Sequence, residues 1–177
     1  MLPNPLHPAI IHFPIVLMLL LPLAAAAALW AIRRGSNARR AWTIPLLGAA
    51  ALAASAWASV ETGEQQTKRV ERVVSERTVE THEDAAEVFL TISGALLVVA
   101  AAGMLRGPVG QGARVIATAG AVGLAVIGVR VGATGGELVY KHGAASAYTE
   151  PTSATQTGAT PRSGSRVEQS AGEVRER

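Results

Sequence analysis

The sequence predicts an all-α integral membrane protein, a four-helix bundle followed by a disordered C-terminal tail. Three observations predict it. Apolar residues make up 49% of the 177-residue chain, and nearly all of them fall in four blocks. Each block holds roughly 20 residues, the length that crosses a ~30 Å hydrocarbon core as a helix. The loops joining blocks one and two, and three and four, are short and carry arginine but no acid, the charge bias of loops that stay in the cytoplasm. From about Ala144 the composition shifts to Ser, Thr, Gly, Pro, Arg and Glu, a mixture that buries too little apolar surface to offset its ordering entropy. The predicted organisation is a four-span domain over 1–145 and a polar tail over 146–177.

The first span covers about 9–32 and contains Pro14 and Pro22, which a spanning helix tolerates where neighbours re-satisfy the backbone. A cleaved signal peptide is the competing assignment, but no Lys or Arg precedes residue 33, and such a peptide needs a basic leader. The second span, about 42–60, is mostly alanine with Trp42 and Trp57 near its ends, where an interfacial aromatic belt would put them. The third and fourth spans cover about 85–105 and 115–134. Between spans two and three, residues 61–84 carry four basic and seven acidic side chains. There Val70, Val73, Val74 and Val79 recur near helical spacing, which predicts an amphipathic helix on the outer surface or running into span three. Gly128, Gly132 and Gly136 are spaced for close helix contact. The two arginine loops agree on orientation: a multi-pass protein of the inner (plasma) membrane, with both termini outside the cytoplasm.

Charged residues are only 16% of the chain, against about a quarter in soluble domains. That excludes a soluble α/β enzyme, and with it a nucleic-acid partner. The absence of cysteine excludes disulfide frameworks, thiolate zinc sites, iron–sulfur clusters and covalent haem attachment. No phosphate-binding glycine loop or nucleophile elbow is present, and no motif supports Ser55, Ser59 or Ser93 as a nucleophile.

The chemistry-bearing residues gather on one side of this topology. His7 and His12 open span one, His82 opens span three, and His142 follows span four. Glu64 and Glu83 lie beside them in sequence, Arg130 falls in the same half of span four, and Tyr140 stands two residues from His142. Imidazoles from separate helices can converge on one metal or haem iron. His12 is the first candidate because it lies within the apolar block, where a polar ring needs a partner. Taken singly, each histidine is as readily a cap, an interface anchor or a hydrogen-bonded strut. Arg130 reads either as a strut to Glu64, Glu87 or Glu137, or as a holder of an anion such as a haem propionate.

Three motifs carry a family resemblance. They are Leu6-His7-Pro8-Ala9-Ile10-Ile11-His12-Phe13-Pro14-Ile15, then Thr62-Gly63-Glu64 leading to His82-Glu83, then Gly135-Gly136-Glu137-Leu138-Val139-Tyr140-Lys141-His142-Gly143. In this order they resemble the domain-of-unknown-function 2231 family of predicted bacterial membrane proteins, over about residues 5–145. The resemblance implies four membrane helices and no established activity. It also implies a loose association with cytochrome-type or other redox membrane proteins. The chain lacks the acid–aromatic pair that some relatives carry shortly after Gly63.

Three functions follow. The first is a b-type haem-binding protein in a redox-associated role, with His12 paired to His82 or His142 and with Arg130 and Tyr140 nearby. The second is a zinc- or copper-dependent membrane hydrolase or metal carrier using His7, His12, His82, His142, Glu64 and Glu83, although the sequence has no H-E-x-x-H motif. The third is a structural or accessory subunit without cofactor, docked onto a larger respiratory or transport complex of the membrane. The lipid bilayer is a partner in every case, and a homo-oligomer is a further expectation.

Overall fold

The computed structural model describes residues 5–149, and every regular element among them is helical. A single turn, α1 (His7–Ile10), passes through Ile11 into α2 (His12–Arg33). Pro14 has no N–H to return to Ile10, so the backbone ladder is interrupted there. α3 (Ala38–Val70), α4 (Glu76–Ala102) and α5 (Gly107–Tyr140) follow. Four helical units, with α1 and α2 taken together, are long and apolar enough to cross a membrane. Each of α2 to α5 packs on its neighbour in sequence, and α2 also packs on α5. The path is therefore up-down-up-down around a closed ring.

Small side chains line the inside of that ring. Ala25, Ala49, Ala56, Ala100, Ala117 and Ala121 are buried with Met18, Leu52, Phe89, Leu96 and Leu124. Large apolar groups such as Phe13, Leu23, Ile44, Val98 and Val126 point outward, as they should where the surroundings are hydrocarbon. Without a hydrophobic drive between helices, close packing holds such a bundle. Gly128 provides it: a Cβ at that position would overlap Met18 Sδ and press on Phe89. Gly132 and Gly136 face open space, so the predicted glycine contact holds at one position of the three.

The end of the ring that carries the arginine loops is tighter than the sequence predicts. The glycine-rich stretch expected to be a loop over 106–114 is the first two turns of α5, with Pro108 in its opening turn, where a missing N–H costs nothing. Arg114 is therefore not a loop residue. It is buried, and its guanidinium donates to Gly103 O at 2.8 Å and Leu105 O at 3.2 Å. Arg39 donates to Met104 O at 3.1 Å. Trp42, expected in an interfacial belt, is 0% exposed and donates its indole N–H to Ala100 O at 2.9 Å. The two arginines satisfy carbonyls just past the end of α4, and Trp42 is a second donor to Ala100 O beside the Gly103 N–H. Trp57 is exposed, as an interfacial residue would be.

At the other end α3 and α4 run beyond the predicted spans and meet at a turn over 71–75. The segment 65–80 is thus no helix of its own on the outer surface: from Glu76 it runs into span three, the second of the two expected arrangements, and up to Val70 it is the end of α3. Val74 and Val79 are buried there with Leu138 and Ala144, and Val70 packs on them. Val73 stays exposed. Past α5, Gly143 adopts φ 68°, and Ala144–Tyr148 forms a 3-10 turn. Arg69 holds that turn down, donating to Ala147 O at 2.9 Å with its guanidinium 4.8 Å from the centre of the Tyr148 ring. Residues 146–148 of the predicted tail are accordingly a docked turn. The remainder of that tail, from residue 150, lies outside the described residues.

Candidate functional site

Between the apolar ring and the α3–α4 turn lies a polar layer to which every wall contributes. α1 brings His7, α3 brings Ser59, Gly63 and Thr67, α4 brings His82 and Glu83, and α5 brings Thr134 and Gly135. His82 stands twenty residues up α4 from Ala102, ~30 Å by helix rise, one hydrocarbon thickness from the arginine end.

His7 Nδ1 donates to the backbone carbonyl of Ser59 at 2.8 Å. His82 Nδ1 lies 3.0 Å from Thr134 Oγ1. That hydroxyl donates its proton to Val131 O at 3.0 Å, so it accepts from His82. Both rings therefore carry their proton on Nδ1, and in the neutral form each keeps a lone pair on Nε2. An anchored Nδ1–H with a free Nε2 is the arrangement that orients metal-ligating histidines. The two rings are neighbours, with centroids 6.4 Å apart and planes at 81°.

Two glycines make room for the rings. A Cβ on Gly63 would come within 3.3 Å of His7 Cε1, and one on Gly135 within 3.0 Å of His82 Cε1. Any side chain at either position would push on an imidazole. Glu83 is taken up by the Thr67 hydroxyl, which ties the two arms of the hairpin beside His82. The mid-helix hydroxyls of Ser59, Thr62 and Ser93 return to carbonyls of their own helices, the usual resort of hydroxyls in helices with no water at hand.

The other predicted site residues lie elsewhere. His12, first among the sequence candidates, is exposed. Five residues along a helix amount to about 140° of net rotation, so a His7 that faces inward carries His12 outward. His142, Tyr140 and Glu64 are exposed as well. The pairing of His12 with His82 or His142 is therefore replaced by that of His7 with His82. Arg130 is exposed, two residues round the helix from inward-facing Gly128. Among the described residues the only ion pair is Lys141 with Glu137, at 2.6 Å, so the strut to Glu64, Glu87 or Glu137 is not formed. Nor do three or more His, Asp or Glu side chains among the described residues come together as a metal-holding group, which leaves the six-residue metal set unassembled.

The sequence did hold a signal for the partners it failed to nominate. Ser55, Ser59, Gly63 and Thr67 recur at intervals of four, one stripe along a helix, and three of the four serve or adjoin the polar layer. Thr134-Gly135 follows the same rule on α5, a hydroxyl acceptor beside a residue without a side chain.

A family model described as a predicted membrane protein, DUF2231, matches residues 3–147. No curated protein matches the chain. No solved structure matches it either.

Proposed function

The chain belongs to the DUF2231 family of predicted membrane proteins, and we propose that it is a redox-associated, b-type haem-binding member in which His7 and His82 would hold the iron. One observation carries this reading: two half-buried imidazoles, each fixed through Nδ1, stand 6.4 Å apart between ring centres. Two imidazoles from different helices at that spacing are the residues that would hold the iron of a bound haem. The donor count supports the same choice. A structural zinc site wants four protein ligands and a catalytic one three, whereas a haem iron takes only two from the protein.

Bound there, the haem would supply one-electron chemistry. The chain's own part is to fix both rings in the metal-ready tautomer through Ser59 and Thr134, and to seat them closely against α3 and α5 at Gly63 and Gly135. The arginine loops support an orientation with this layer on the side away from the cytoplasm in an inner membrane.

The test is an absorption spectrum and a metal count on detergent-purified protein from haem-supplemented expression. A Soret band that His7→Ala and His82→Ala each abolish, and that His12→Ala retains, is expected. Stoichiometric zinc or copper without haem overturns the haem assignment in favour of a metal carrier. Neither haem nor metal favours the accessory-subunit reading. That reading has its own support: His7 and His82 each bond through Nδ1 to a different helix, so both imidazoles already serve as struts between walls.

A further inference from the structure

The arginine end holds an open cleft of about 680 Å³ between the end of α2, the start of α3 and the first turns of α5. Arg33, Arg39, Arg106 and Arg114 all line it. No acid does, and the chain has no Asp or Glu before Glu61 or between Glu87 and Glu137, so nothing nearby in sequence neutralises this charge. Arg39 spends only its Nε hydrogen on Met104, and Arg114 keeps its Nη1 hydrogens after reaching Gly103 and Leu105. Their guanidiniums are thus pinned in place with donors to spare. The first turn of α5, which opens into the same cleft, has no side-chain cap, and uncapped N–H groups at a helix start favour an anion. The remaining wall is apolar, with Leu29 and Ile32 of α2 facing Val115 of α5.

We propose that this cleft binds the phosphate of an anionic phospholipid from the adjoining leaflet, its acyl chains lying along the apolar wall between α2 and α5. Four guanidiniums with no acid select a phosphate. The apolar wall selects a lipid phosphate over a free one, because a soluble anion would leave Leu29, Ile32 and Val115 without use. This site is independent of the histidine layer and stands whether or not haem binds there.

The full chain, reconstituted in nanodiscs and then released for native mass spectrometry, provides the test. With phosphatidylglycerol and phosphatidylcholine in equal amounts, the expected result is retention of one phosphatidylglycerol at least ten-fold over phosphatidylcholine. Arg33→Gln with Arg106→Gln, which spares both carbonyl-bonded arginines, should reduce that preference at least five-fold with far-UV circular dichroism unchanged. Arg34→Gln with Arg40→Gln removes the same charge from the same end outside the cleft, and should leave the preference intact. Equal loss in both double variants would show that net charge and not the cleft attracts the lipid, and would overturn the proposal. Equal retention of the two lipids would also overturn it. Full displacement of phosphatidylglycerol by millimolar inorganic phosphate would overturn the lipid assignment and make the cleft a free-phosphate site.

Discussion

The two ends of the bundle meet the same problem by different means. Each must satisfy polar groups where helices finish. At the arginine end Trp42, Arg39 and Arg114 donate to carbonyls at the close of α4, and the α5 glycines let the backbones approach: a Cβ on Gly110 would overlap Leu105 O. Indole and guanidinium are donors only, so that end offers nothing basic to a metal. At the histidine end the polar groups are imidazoles, and an imidazole that donates from Nδ1 still has a lone pair to give. The choice of donor type therefore separates an end that closes the fold from an end that can do chemistry.

The comparison breaks most sharply at Trp42. Trp42→Ala removes a fully buried aromatic and one of the two donors to Ala100 O, the other being the Gly103 N–H. The expected cost is about 3–5 kcal/mol, seen as a lower thermal midpoint in detergent, with the histidine layer affected only through loss of the fold. Gly135→Val attacks the other end. Its Cβ would press on His82 Cε1, and overpacking of that kind costs about 1–3 kcal/mol. The Soret band expected of the proposed haem protein should be lost at a temperature where the helix signal persists; an unchanged band would separate Gly135 from ring placement.

A smaller effect belongs to the 3-10 turn beyond α5. Burial pushes the Tyr148 phenol above its ordinary value near 10, with Arg69 opposing part of the rise. A raised folded value means the docked turn is fully stabilised below that ordinary value and loosens as pH climbs through the folded one. Proteolysis at residues 144–149 should accelerate above pH ~10 and stay flat below it. Smallest of all, His12→Ala and His142→Ala change exposed rings and should shift stability by less than about 0.5 kcal/mol. Loss of bound cofactor in either would restore the pairings that the fold does not form.

Four crossings were legible because apolar clustering is a property of each segment alone. What went unread depends on which way a residue faces. Trp42 satisfies an aromatic-belt rule and a core rule equally well until α4 is beside it. Arg114 looks like a loop charge until its helix is seen to start seven residues earlier. His12 has the more apolar neighbours in sequence, yet His7 faces Ser59, and nothing in hydropathy sets that rotation. The candidate site was half visible: the sequence named His7, His82 and Glu83, while their partners Ser59, Thr67, Thr134 and Gly135 are small residues whose value lies in what they touch.

The length of α3 has a mechanical consequence. Its 33 residues reach ~50 Å, about 20 Å more than hydrocarbon thickness, so the hairpin it forms with α4 stands clear of the bilayer as a stiff mast. His82 is seven residues from the crown of that mast at Ser75, and Thr67 lashes to Glu83 across its base. Tilting that hairpin would therefore change the distance between His82 and His7.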